Sequence, residues 1–232
     1  MGETRQDPNP DPDPDPSDPG ALHHPLGTCI LIPKCLPIER VFRVHYNQTS
    51  MGRDALFVDI HLPQHPDGKP LRICSTHLES LVAKPPRRPS QLAEAAAFMH
   101  EAHASVLGGD LNAIEPFDAT LHRDNDLRDA YLESGGVEGD EAGMTWGQMA
   151  SAASRRRFGL SRMDKFYFCG GVELRGFATF GMDVEVEGER AREELIKEEG
   201  IEKGWITDHL GIRGDFCVAG LPGVPEPEAD MN

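Results

Sequence analysis

The sequence predicts an α+β fold. Short β-branched runs with two-residue alternation recur along the chain, and one long Ala, Leu, Glu and Met segment stands out as a helix. Strand-like and helix-like stretches are interleaved, with strands in the majority. Such a mixture builds sheets covered by helices. The chain has 232 residues, 38% of them hydrophobic, so it can bury one core of ordinary size; 24 Gly and 19 Pro point to many loops.

The elements follow in order. Residues 1–26 open with an Asp-Pro repeat, in which proline removes backbone donors and the aspartates repel, so a disordered tail is expected there. A second Pro- and acid-rich tail is expected over 221–232, which leaves 27–220 as the folded domain. Thr28 to Ile32 reads as a strand. Val41 to Tyr46 and Leu56 to Leu62 also read as strands, joined by the turn-rich link Asn47 to Asp54 as a hairpin. Leu71 to Thr76 is a further strand ending at His77. After the Pro-rich loop Lys84 to Pro89, Ser90 is the expected N-cap of a helix over Gln91 to Ala104. Ser105 to Leu107 runs as a strand into Gly108-Gly109-Asp110. Strands are expected at Met163 to Cys169, Leu174 to Phe177 and Leu210 to Val218. Arg190 to Glu199 reads as a charged, solvated helix with i,i+4 partners.

The formal charge is −16, which argues against a generic nucleic-acid binder. The excess is uneven, however. Residues 1–20 carry −5, residues 182–232 carry −9, and the body between them only −2. An enzyme that meets phosphate through a metal ion is therefore not excluded. No apolar run approaches the ~20 residues of a membrane span, and the first twenty residues have no signal-like hydrophobic stretch. Five cysteines, an odd number with no C-x-x-C pair, suit a reducing compartment, cytosol or nucleus; three lie in apolar runs and read as small buried hydrophobes.

Four segments place ionisable residues at or beside strand ends, where side chains leave the core. In Ser75-Thr76-His77-Leu78-Glu79-Ser80, the imidazole of His77 can bond a phosphate oxygen or donate a proton. In Gly108-Gly109-Asp110-Leu111-Asn112, the glycines leave space beside a carboxylate; Asp110 could activate water or bind a metal, and Asn112 could orient a phosphate. In Ser161-Arg162-Met163-Asp164, Asp164 is either a surface ion-pair partner of the arginine or the carboxylate that orients a histidine. In Thr207-Asp208-His209, neighbouring side chains point to opposite faces if extended, one toward a metal and one toward substrate. Each segment alone also fits a structural role.

Together and in this order, Thr76-His77-Leu78, Gly109-Asp110-Leu111-Asn112, Arg162-Met163-Asp164 and Thr207-Asp208-His209 resemble the endonuclease/exonuclease/phosphatase superfamily, over residues 28 to 218. The THLES segment with Ser80, the Gln91-Leu92 helix, Thr145-Trp146 and the closing Asp208-His209-Leu210-Gly211 are most similar to its tyrosyl-DNA phosphodiesterase 2-like members. The resemblance implies a deoxyribonuclease-like four-layer fold, a two-sheet β-sandwich flanked by helices. It implies Mg²⁺ or Mn²⁺ as cofactor and in-line water attack on a phosphodiester, a DNA 5′ end in that subgroup. Nuclease, sphingomyelinase and inositol-phosphate phosphatase activities belong to the same superfamily.

Carried over by position, the resemblance implies that Asp110 activates the water, Asn112 holds the scissile phosphate and His209 stabilises developing charge. It implies that Asp164 orients His209, His77 contacts a non-bridging oxygen, Asp208 helps hold the metal, and Ser80 and Trp146 meet substrate. The family pattern also places a strand ending in asparagine and a metal-binding glutamate ahead of Thr76. Upstream of His77 the only glutamates are Glu3 and Glu39, and neither fits. The domain is therefore expected to lack its N-terminal part, with one or two strands, and to be weakly active or inactive, or to serve as a binding module.

Overall fold

The computed structural model describes residues 27–62 and 68–218. The two expected tails, 1–26 and 221–232, lie outside those residues, as do 219 and 220, which the sequence assigns to the domain. Among the described residues eight strands are present: β1 (Ile38–His45), β2 (Asp54–Ile60), β3 (Leu71–His77), β4 (Ala104–Asp110), β5 (Arg128–Asp129), β6 (Asp164–Gly170), β7 (Val172–Phe180) and β8 (Gly211–Val218). The helices are α1 (Arg88–Glu101), α2 (Leu121–Asp124), α3 (Ala130–Glu133), α4 (Ala152–Phe158) and α5 (Glu189–Glu199), with two short 3₁₀ turns.

The expected two-sheet sandwich is present, with unequal sheets among the described residues. A six-stranded sheet has the order β1-β2-β3-β4-β6-β5, and β7 pairs with β8 in a second sheet. The β1–β2 pair is the expected hairpin. Alternation along the strands serves two cores. Cys74, Leu107, Tyr167 and Phe57 point to one face, under Leu92, Ala95, Ala96 and Met99 of α1. Val106, Phe166 and Phe168 point to the other, against Leu174, Phe177, Phe216 and Val218 of the second sheet. Helix α1 buries Arg88, Gln91, Leu92, Ala95, Ala96 and Met99, spaced three and four residues apart as one apolar face requires.

Three expectations need correction. Thr28–Ile32 is not a strand: its residues alternate between exposed and half-buried, but it has no ladder partner among the described residues, and a strand needs one. Helix α1 starts earlier than Ser90, because Pro89 at its second position needs no donor; Arg87 is the N-cap, and the Ser90 hydroxyl instead donates to the Arg87 carbonyl. Arg162 is not at the surface. It is buried and forms a bidentate pair with buried Asp129 at 3.0 and 2.8 Å, while Asp164 bonds His209 instead. Helix α5 has no buried residue, as its charge pattern predicts, and Cys74 and Cys169 are buried while Cys29 and Cys35 are exposed.

Candidate active site

The sheet register assembles the site. Parallel pairing of β3 and β4 sets His77 beside Asp110, and antiparallel pairing of β4 and β6 sets Asp110 beside Asp164. Three motifs distant in sequence thus end in one row at one edge of the sheet. The glycines before Asp110 permit it. A Cβ on Gly109 would fall 1.8 Å from the Thr76 carbonyl oxygen, and one on Gly108 would fall 2.5 Å from the Phe166 ring.

His209 reaches this row from the segment ahead of β8. Thr145 is the junction. Its hydroxyl oxygen accepts the N–H groups of Met163 and Asp164, at 3.1 and 3.0 Å. Its carbonyl accepts the Leu210 N–H at 2.7 Å, and its own N–H bonds the Ser161 carbonyl. The next residue, Trp146, is bridged through its backbone to both Ser161 and His209.

Two imidazole–carboxylate pairs result. His77 Nε2 lies 3.2 Å from Asp110 Oδ2, and His209 Nδ1 lies 2.8 Å from Asp164 Oδ2. Burial alone would raise the Asp110 pKa, but the His77 hydrogen bond, the Asn112 N–H on Oδ1 (2.8 Å) and the charges of His77 and His209 hold it below the usual carboxylate value. Burial would lower His209, but the bond to Asp164 and the fields of Asp164, Asp110 and Asp208 raise it above the ordinary imidazole value. The site therefore pairs an ionised base with an imidazole biased toward its charged form.

The other expected residues are nearby in varied settings. Asn112 is buried with a left-handed backbone (φ 47°), and its side-chain amide donates to the Leu78 carbonyl at 3.0 Å. Asp208 accepts the Trp146 indole N–H at 2.8 Å. Trp146 itself is buried among Ala150 and Met163, with Phe158 edge-on. Ser80 accepts a hydrogen bond from Arg53 Nη2 at 2.9 Å. Glu39 lies on edge strand β1, 3.8 Å from His61, outside the row.

Among the described residues, Asp110, Asp164 and His209 form the one group whose ligand atoms all lie within 4.8 Å of each other. The two carboxylates of that group suit a hard divalent cation with water completing its shell, whereas His209, biased toward its charged form, does not serve as a ligand. Asp208 is not in that group.

Arg53 escapes the sequence reading, which takes residues 47–54 as a turn-rich link. It is buried, yet makes no ion pair among the described residues. Its Nε has no partner, and its Nη2 bonds only the Ser80 hydroxyl and the Met51 sulfur. It lines a small cavity with Thr28, Asp54 and His77. Burial lowers its pKa against the more distant fields of Glu79 and Asp110. A buried guanidinium with no direct ion pair is costly unless an anion arrives. The only sequence signal is its place one residue before a strand paired with the His77 strand.

The fold has relatives among solved structures. A truncated Caenorhabditis elegans TDP2 structure superposes with a TM-score of 0.56 at 19% identity, covering 80% of this chain and 68% of that one. A D. rerio TDP2 structure in complex with a single-strand DNA product gives 0.57 at 17%, covering 79% and 69%. A Bacteroides thetaiotaomicron mannosyl-6-phosphatase gives 0.53 at 11%, covering 78% and 67%. At these identities the likeness is one of fold. No curated protein matches by sequence. The family model described as Endonuclease/Exonuclease/phosphatase family matches residues 4–209. With that match over most of its length, the chain belongs to the endonuclease/exonuclease/phosphatase family.

Proposed function

We propose that this chain is a divalent-metal-dependent phosphodiester hydrolase acting by direct water attack, with a tyrosyl-DNA phosphodiesterase-like substrate, a DNA 5′ end. The reading rests on one observation: two imidazole–carboxylate pairs, His77–Asp110 and His209–Asp164, meet at one sheet edge. The family includes phosphodiesterases and phosphatases, and its enzymes generally depend on a divalent metal.

In this reading Asp110, held ionised, takes the proton of the attacking water. His209, held charged by Asp164, stabilises the charge that develops on phosphate and carries a proton toward the leaving oxygen. His77 meets a non-bridging oxygen. Arg53 supplies the cation that its own surroundings leave with no direct ion pair, and it binds a second phosphate oxygen through charge-assisted hydrogen bonds. Asn112 orients the phosphate, with its amide fixed by Leu78. Ser80 contributes through its bond to Arg53, and Trp146 through its bond to Asp208. Asp110 and Asp164, with Asp208 at hand, are the groups that would hold Mg²⁺ or Mn²⁺. When bound, that ion supplies Lewis-acid stabilisation of phosphate charge.

Hydrolysis of bis-p-nitrophenyl phosphate with Mg²⁺ or Mn²⁺, and then of a 5′-phosphotyrosyl oligonucleotide, tests the reading. Metal-dependent turnover that Asp110→Ala abolishes is expected. Absence of turnover with either ion overturns the enzyme and leaves a phosphate-binding module. Turnover of the aryl ester without the oligonucleotide overturns the substrate alone.

A further inference from the structure

We propose that Glu79 is a positioning residue, a buried carboxylate that fixes the loop carrying Arg53 so that the arginine faces the phosphate. The proposal rests on the reading of Arg53 given above.

Glu79 immediately follows the His77-Leu78 pair, and Leu78 is tied by its N–H to the Asp110 carbonyl. The Glu79 side chain is 3% exposed and uses both oxygens on other chain segments. Oε1 accepts the Ser50 N–H at 2.8 Å and Arg87 Nη1 at 3.0 Å. Oε2 accepts the Thr49 hydroxyl at 2.8 Å and Gln91 Nε2 at 3.2 Å. The Thr49 oxygen in turn accepts the N–H groups of Met51 and of Arg53 itself, at 3.2 and 2.9 Å. A continuous path thus runs from the Glu79 carboxylate through Thr49 to the Arg53 backbone. The far end of Arg53 is held by Ser80, the residue next to Glu79. Two adjacent residues fix both ends of one arginine.

The surroundings strengthen the path. Gln91 on α1 bonds the Gln48 carbonyl and the Glu79 N–H, and Glu94 accepts the backbone and side-chain N–H groups of Asn47. The loop between β1 and β2 is therefore fastened to α1 by side chains rather than closed as a tight hairpin turn. Neutralisation of Arg53 does not explain Glu79. A carboxylate serving that purpose would pair with the guanidinium, whereas Glu79 spends its acceptors on Thr49 and Ser50 of the loop and on Arg87 and Gln91, and acts on Arg53 only through its field. That arrangement keeps the positive charge available for a ligand.

The test is a double-mutant cycle read by titration calorimetry of the full chain with inorganic phosphate, with melting curves for each variant. Arg53→Ala is expected to weaken phosphate binding roughly tenfold, and Glu79→Gln roughly fivefold, because Gln replaces two acceptor sites with donors. The double variant should bind no more weakly than Arg53→Ala, since coupled residues are not additive. Thr49→Val should behave as Glu79→Gln does, and serves in its place if that variant fails to fold. Additive losses, or unchanged phosphate binding in Glu79→Gln or Thr49→Val, overturn the positioning role. Unchanged binding in Arg53→Ala overturns the arginine's role and the inference with it, while the Asp110→Ala hydrolysis result stands apart from both.

Discussion

The two halves of the site are held in different ways. His77, Asp110 and Asp164 sit at the ends of paired central strands, and their relative positions are fixed by the ladders of the six-stranded sheet. His209 comes from the segment that follows the exposed α5, and its place depends on the Leu210 bond to Thr145, the bridge to Trp146 and the bond to Asp164. The first half is part of the core. The second is hung on it at a few points. Chemistry that needs both a fixed base and an adjustable cation can draw on this division, because local opening is cheapest where backbone ladders are few.

Substitutions can break or sharpen that contrast. The largest effect is expected at Asp110. Asp110→Ala should lower kcat for bis-p-nitrophenyl phosphate by about 10³-fold or more with the melting temperature little changed, since the loss is chemical. Asp164→Asn comes next, with a fall of roughly 10²–10³ in kcat, because an amide no longer biases His209 toward its charged form. Gly109→Ala attacks the ladder half itself. The methyl would meet the Thr76 carbonyl, so a loss of roughly 3 kcal/mol or more in urea unfolding is expected. Trp146→Phe removes the indole bond to Asp208 and costs some stability because the indole is buried; a decrease of roughly tenfold in kcat/KM measured well below the melting temperature would mark it as a support for the site.

The smallest effect is one of pH, and its sign follows from the two shifts. The proposed mechanism needs Asp110 ionised, and its pKa is lowered, so the acid limb of kcat/KM should lie below the ordinary aspartate value of about 3.9. It also needs His209 charged, and its pKa is raised, so the alkaline limb should lie above the ordinary value of about 6.5. In stability terms, His209 contributes below its unfolded pKa and loses that contribution as pH rises through the folded one; Asp110 contributes above its unfolded pKa and loses it as pH falls through the folded one. Asp164→Asn should shift the alkaline limb downward and leave the acid limb in place. An alkaline limb that does not move in that variant would remove His209 from the mechanism.

Much of this was readable from residue patterns, and the exceptions share a cause. β2, β3, β4 and α1 announce themselves through alternation or helical composition, and the order of the four motifs brings His77, Asp110, Asp164 and His209 together. The pairing that sets His77 beside Asp110 and Asp110 beside Asp164 is a matter of register, which no single segment encodes. Thr28–Ile32 carries strand residues but finds no ladder, so composition alone misleads. Arg162 shows the same limit: adjacency in sequence suggests Asp164 as partner, whereas burial delivers Asp129. Arg53 and Glu79 gain meaning only from what surrounds them, a guanidinium with no direct ion pair among the described residues and a carboxylate with four donors.

The backbone bridge between Trp146 and Ser161 has an implication for variation. It closes the neck of the stretch 147–160, which holds α4 and the run Arg155-Arg156-Arg157. The bridge between Glu185 and Trp205 closes the stretch around α5 in the same way. Each stretch is a cassette with its ends pinned together. The exposed faces of α4 and α5 could change in charge while Thr145, Asp164 and His209 keep their places, whereas Met149, packed with Trp205 and Leu210, and Ala150, packed with Trp146, have to stay. The surface around the site could then diversify on those faces, with the row of motif residues left untouched.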